Sequence, residues 1–206
     1  KDPAKSPNFY QQYTDSAPSQ NSMIVVSDAR SRVVDYSDVY EYSYDYSTYS
    51  SSVDGYDAEG QLTSALQYVT KADSELPVIY EITGHGENAL SGGFSEAVEK
   101  ANMTVSQLTL LTEDAVPDDA AAIIINGPTS DFSEDDAAKV KDYLQGGGRA
   151  LIACNFEYQD LPNFASVLEA YGIERVAGIV MENSASACYR STPYYLLPEI
   201  ESTAYT

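Results

Sequence analysis

Tryptophan is absent from these 206 residues, histidine occurs once and cysteine only twice. Basic residues are also scarce: 11 Lys and Arg stand against 32 Asp and Glu, a formal net charge of −21. So acidic a surface is repelled by phosphate backbones and by anionic lipid headgroups, which excludes nucleic acid as a partner. One histidine and two distant cysteines give no zinc spacing, and no carboxylate run has the spacing of a calcium loop, so no metal is expected. Two cysteines, Cys154 and Cys188, are too few for a disulfide framework, although an oxidising compartment would let them pair. There is no Walker motif, so the chain does not itself hydrolyse ATP. Gly146-Gly147-Gly148 precedes a strand-like run instead of opening a helix; it reads as a helix stop and not as a phosphate cradle, and no cofactor is expected. No apolar stretch of about 18 residues, signal peptide or lipidation motif is present. The chain opens at Lys1 without a methionine and reads as a piece of something longer.

Against these absences, 43% of the residues are hydrophobic and 18 are tyrosine. The first figure allows a sizeable core. Tyrosine and serine richness with little lysine fits a domain exposed outside a bacterial cell.

The pattern divides the chain at about 57 and 183. Residues 1–57 read as a partial N-terminal lobe. Within it Met23–Val26 and Arg32–Tyr36 are two strands around a hairpin loop. This hairpin is too small to stand alone and needs a surface to pack on, a segment ahead of Lys1 being one candidate. Between residues 36 and 57 tyrosines recur among serines and aspartates, and Tyr40, Tyr42, Tyr44 and Tyr46 alternate strictly. Alternation predicts an extended strand with one aromatic face, a surface for a protein or glycan partner; a solvated connector is the plainer alternative.

Residues 58–183 read as an α/β core. Leu62, Ala65, Leu66 and Val69 mark an amphipathic helix. Strands are predicted at Leu76–Thr83, Thr104–Leu111, Ala120–Asn126, Ala150–Cys154 and Val176–Met181. Helices are predicted at Gly93–Ala101, from Ser133 to about Gln145, and at Asn163–Tyr171. Apolar strands joined by helices imply a three-layer sandwich around a mostly parallel sheet, flavodoxin-like or amidotransferase-like. The link from Leu111 to Ala120 has no helical pattern, so a long loop or an antiparallel pairing is expected there. Residues 184–206 read as irregular.

In such sheets ligands collect beyond the carboxyl ends of the strands. Three strand ends deliver polar or conformationally special residues. They are Gly84-His85-Gly86-Glu87, Asn126-Gly127-Pro128-Thr129-Ser130-Asp131 and Cys154-Asn155. Gly84, His85, Gly86, Glu87, Asn126, Asp131 and Asn155 are therefore the candidate binding rim. A thiolate beside an imidazole would make Cys154 and His85 a nucleophile pair. The plainer expectation is that His85 shapes its turn and Cys154 fills the core.

The order strand, helix, triple glycine, strand, Cys154 resembles class I glutamine amidotransferases and their ThuA-like relatives. The resemblance stops short of the catalytic elements: Cys154 is followed by Asn155-Phe156 instead of a glycine-containing elbow, and no histidine follows it. A wider resemblance rests on an ordered set of segments. These are residues 21–26, 34–40 and 61–70, then Ile82-Thr83-Gly84-His85-Gly86-Glu87, Val116-Pro117-Asp118-Asp119-Ala120, Ile125-Asn126-Gly127-Pro128 and Tyr143-Leu144-Gln145-Gly146-Gly147-Gly148. In this order they resemble the auxiliary component of ABC-type transport systems, the group related to the gliding-motility ABC transporter auxiliary protein. The resemblance implies an amidotransferase-like core preceded by a thioredoxin-like lobe. It also implies a non-catalytic accessory domain outside a bacterial membrane, anchored by segments absent here. Its partners would be an ABC ATPase and permease and an envelope component. Two readings of another class stand beside it: a Cys-dependent hydrolase or amidotransferase-like enzyme, and an envelope glycan-binding module.

Overall fold

In a computed structural model the chain is described at residues 5–45, 48–72, 76–155, 157, 160–199 and 201–202. Its centre is a four-stranded parallel sheet of β5 (Val78–Thr83), β6 (Thr104–Thr109), β7 (Ala120–Asn126) and β8 (Ala150–Ala153), in the order β6-β5-β7-β8. The helices are α1 (Ala58–Thr70), α2 (Gly92–Lys100), α3 (Glu134–Gln145) and α4 (Pro162–Glu169). The α/β class and the parallel sheet are as the hydrophobic pattern predicts, and the fold is consistent with an amidotransferase-like core.

The β7–α3–β8 unit steps outward one way from the sheet centre, and β5–α2–β6 steps the other way. Right-handed crossovers therefore put α2 and α3 on opposite faces. The main core lies on the α3 side. Ile82, Ile123 and Ile125 of the sheet meet Ala137 and Val140 of α3 and Phe164, Val167 and Leu168 of α4. Ser133 caps α3, its Oγ accepting the Asp136 N–H at 3.0 Å, and three carboxylates occupy the first turn, where the helix dipole favours them. The helix-free link between β6 and β7 is a long loop with one 3-10 turn at Leu110–Thr112. It crosses β5 and buries Leu110 and Val116 in the same core, so the two strands it joins run parallel.

A second, smaller core belongs to the N-terminal segment. β1 (Met23–Val26) and β2 (Ser31–Val34) form the expected antiparallel hairpin. Its apolar face packs on α1: Val34, Val39 and Ala65 are buried together against Met23, Val25 and Ala58. This unit meets the sheet domain at the end of α2. Arg32 donates to Asn102 Oδ1 and to the Glu99 carbonyl, Ser64 Oγ donates to the Lys100 carbonyl, and Asn102 Nδ2 donates to the Ser64 carbonyl. Asn102 is 4% exposed and holds φ +58, a left-handed conformation that asparagine tolerates better than most residues.

The tyrosine-rich stretch is a ribbon of two antiparallel strands, β3 (Tyr40–Asp45) and β4 (Ser50–Tyr56). The alternation is realised: Tyr40, Tyr42 and Tyr44 share one face, opposite Tyr56, Val53 and Ser51. Tyr36, Tyr40 and Tyr56 are in ring contact. Tyr42, Tyr44, Val53 and Tyr56 are exposed. Tyr46 lies outside the described residues.

Two expectations fail at the far edge of the sheet. β8, read as a buried strand ending in a core cysteine, is an edge strand; Ala150, Leu151 and Ala153 are exposed, and so is Cys154. An apolar run sets a strand's hydrophobicity, not its place in the sheet, and among the described residues no strand pairs with β8 on its outer side. Val176–Met181, read as the last strand, makes no ladder. Val176, Ile179, Val180 and Met181 are exposed, since without a neighbouring strand nothing covers an apolar run of this length. Both cysteines are free thiols, Cys188 being buried. No helix among the described residues is long and apolar enough to cross a membrane.

Candidate functional site

β5 ends at Thr83 and delivers His85 to the carboxyl rim of the sheet, as its position after an apolar run predicts. The turn depends on glycine. Gly86 has φ +72, and a Cβ there would lie 2.1 Å from Thr129 Oγ1. Gly127 has φ +64 and comes within 2.7 Å of Asn88 Nδ2 on the same test. Both are conformations that a side chain strains and approaches that it blocks. The two loops can therefore close on each other. The Thr129 and Ser130 N–H groups donate to the His85 carbonyl at 2.9 and 2.8 Å, and Thr129 Oγ1 donates to the Gly86 carbonyl at 3.1 Å.

His85 is 8% exposed. Its Nδ1 faces Glu87 Oε1 at 3.1 Å and its Nε2 faces Asp136 Oδ2 at 3.3 Å. The His85 backbone N–H donates to Glu87 Oε2 at 2.7 Å. The ring lies on Phe132, with centroids 4.2 Å apart, and Phe132 in turn meets Phe164 at 5.5 Å. A ring that donates from both nitrogens satisfies both carboxylates; a neutral ring satisfies one. The Glu87 and Asp136 side chains are each 4% exposed.

The charges continue along α3. Lys139 Nζ lies 3.7 Å from Asp136 Oδ1 and 2.6 Å from Asp135 Oδ2, and it donates to the Leu110 carbonyl at 2.9 Å. Burial pushes the Asp136 carboxyl up. Hydrogen bonds with Ser133 and His85, with the positive charges of His85 and Lys139, outweigh this and hold it below its ordinary 3.8. Lys139 is held above its ordinary 10.5, chiefly by its bond to Asp135.

The other rim residues are also spoken for. Asn126 Nδ2 donates to the Asn88 carbonyl at 2.8 Å, and the Asn88 N–H returns to the Asn126 carbonyl at 2.8 Å. Asp131 accepts the N–H groups of Asn163 and Phe164 at 3.0–3.1 Å and so caps α4 from outside the helix. Asn155 Oδ1 accepts the Glu157 N–H at 3.2 Å. The structure thus joins Gly84, His85, Gly86, Glu87 and Asn126 in one closed loop pair and gives Asp131 a helix to hold. It does not join Cys154 to His85, both of whose ring nitrogens are engaged with carboxylates. Comparison with protein-family models, curated proteins and solved structures returns no match to this chain.

Sequence reading found His85 and Glu87 but not Asp136, Lys139 or Phe132. One signal was available. Asp136 lies one turn before Val140 on the stripe that α3 turns to the core, and a carboxylate there needs a partner. Among the described residues no group of three or more His, Cys, Asp or Glu is placed to hold a metal ion. A cleft of about 960 Å³ lies away from the rim, between β2 and the α2–β6 edge, bordered by Tyr13, Tyr40, Tyr68 and Glu96. Its cations are paired: Arg32 bonds Asn102 and stacks on Tyr68, and Lys100 bonds Asp57.

Proposed function

We propose that this chain is a non-catalytic binding domain of an ABC-type transport system, held on the outer side of a bacterial membrane beside the ATPase and permease subunits. The observation that carries the non-catalytic reading is the saturation of the strand-end rim. His85 spends both nitrogens on Glu87 and Asp136, Asn126 closes a loop, and Asp131 caps a helix. No general base is left facing outward from that cluster, and the exposed Cys154 has no imidazole to activate it. The transport setting rests on the ordered set of segments that resembles ABC auxiliary components.

The binding surface in this proposal is the aromatic face of the β3–β4 ribbon. Rigid rings with a hydroxyl at the tip give large contact area at low entropic cost. The rings of Tyr40 and Tyr42 are 6.4 Å apart, and Tyr42 and Tyr44 on that face are 57% and 48% exposed.

The test is affinity purification of the membrane-anchored parent in mild detergent, with and without Tyr42→Ser and Tyr44→Ser. Recovery of ATPase and permease subunits in comparable amounts, reduced by the double substitution, is the expected result. Recovery of the parent alone would defeat the transport reading. Equal recovery with the substituted ribbon would move the interface elsewhere. Saturable binding of cell-wall fragments through the same tyrosines would favour the glycan reading.

A further inference from the structure

The cleft between the hairpin unit and the sheet domain has a strand edge for one wall. Residues 31 to 35, the whole of β2 and the residue after it, border it without a break. Among the described residues β2 has a neighbour on one side only, β1. Register shows which backbone groups are left over. The Ser27 N–H donates to the Arg30 carbonyl at 2.9 Å, so Arg32 and Val34 take the hydrogen-bonded positions opposite Val25 and Met23. The N–H and carbonyl groups of Ser31 and Val33 then point away from β1. An unpaired edge is a template for an added strand. The cleft, about 960 Å³, stands near the top of the about 300–1,000 Å³ range of ligand sites and has room for a chain segment.

The charges around the cleft select what enters it. Asp35 and Asp38 border it on the hairpin side, and Glu96 and Glu99, one turn apart on α2, on the other. The two cations on its wall are already bonded within the chain, Arg32 to Asn102 and the Glu99 carbonyl, and Lys100 to Asp57. Glu96 and Glu99 are exposed, and neither enters an ion pair among the described residues. Tyr13 and Tyr40 add ring surface on which a cation also sits well; the Tyr13 carbonyl accepts the Ser31 hydroxyl at 2.6 Å, which holds that residue against β2.

We propose that this cleft binds an extended peptide segment rich in lysine or arginine, which lies beside β2 as a third strand and sets its cationic side chains against Glu96 and Glu99. The open edge asks for a polypeptide backbone, and the uncompensated carboxylates ask for positive charge. This surface is separate from the aromatic face of the ribbon around Tyr42 and Tyr44, and its occupant does not depend on whether the parent sits beside a transporter.

Fluorescence anisotropy with a labelled octapeptide of alternating lysine and valine tests it on the intact chain. The expected result is saturable binding of one peptide per chain, weakened about fivefold by Glu96→Gln with Glu99→Gln. Glu169→Gln with Glu174→Gln removes the same charge away from the cleft and should leave the affinity unchanged. Saturating peptide should slow amide exchange at Ser31 and Val33 by about tenfold or more. The same octapeptide N-methylated at every residue has no backbone donor and should bind at least about tenfold more weakly. Absence of saturable binding, or of protection at Ser31 and Val33, would overturn the proposal. Equal weakening by the two double substitutions would also overturn it, as diffuse attraction to a chain of net charge −21. So would undiminished binding of the methylated peptide, a comparison that needs no substitution in the chain.

Discussion

Replacing His85 with alanine is the sharpest test of the rim. The substitution removes two bonds to carboxylates that are each 4% exposed, and a ring contact to Phe132 at 4.2 Å. Hydrogen bonds to charged groups contribute about 1.5–3 kcal/mol each, and an aromatic contact about 0.5–1.5 kcal/mol. The 3.3 Å bond to Asp136 belongs at the lower end of its range. The expected loss is about 4 kcal/mol, a large share of the roughly 5–15 kcal/mol that holds a domain folded. In a chain of 206 residues it lowers Tm by about 10 °C. Urea unfolding gives the loss directly, from the midpoint at unchanged slope. A double-mutant cycle isolates the charge component. In a background carrying Glu87→Gln and Asp136→Asn, the same substitution should cost at least about 1 kcal/mol less. A loss under about 1 kcal/mol, or one that the background leaves unchanged, refutes the reasoning.

Three further outcomes are expected. Gly86→Ala should destabilise by about 1–3 kcal/mol in urea unfolding, since φ +72 and the contact with Thr129 Oγ1 both oppose a Cβ; adding Thr129→Ala should restore part of the loss. Asp136 is held below its ordinary range, and so is Asp35, the latter mainly by Ser22 Oγ with help from Ser19. Each therefore contributes stability that is present above about pH 4 and lost as pH falls through its folded value, and Asp35→Asn should flatten the acid limb of a stability-versus-pH curve. Under native conditions a thiol reagent should modify one cysteine per chain, Cys154, and reach the buried Cys188 only after denaturant is added; two native equivalents would contradict the burial.

Much of the sheet was legible because β7 and β8 are almost wholly apolar and β5 and β7 run into glycine, and the helix of residues 134–145 announced itself through Ser133 and three acidic neighbours. The tyrosine alternation also carried true information, since period two survives in β3. What the pattern did not carry was neighbourhood. Ala150–Ala153 is as apolar as Ile123–Ile125, yet one run lies at an edge and the other at the centre, a difference set by chain topology. The partner of His85 across the rim was hidden for a similar reason. Asp136 reads locally as an ordinary first-turn carboxylate, and only the third dimension turns it toward a ring 51 residues away. Asp131 was legible as a rim residue but not as the cap of α4, because that role needs α4 to be in place.

Asn102 has a mechanical consequence. The small hairpin core carries the tyrosine ribbon, and its polar ties to the sheet domain concentrate at one helix end: Arg32 and Ser64 converge on this single buried amide and on the last carbonyls of α2. Those bonds, with the Lys100–Asp57 pair beside them, make the end of α2 the clasp by which the hairpin unit is fastened to the sheet, and the segment that leads into α2 starts at the His85 turn.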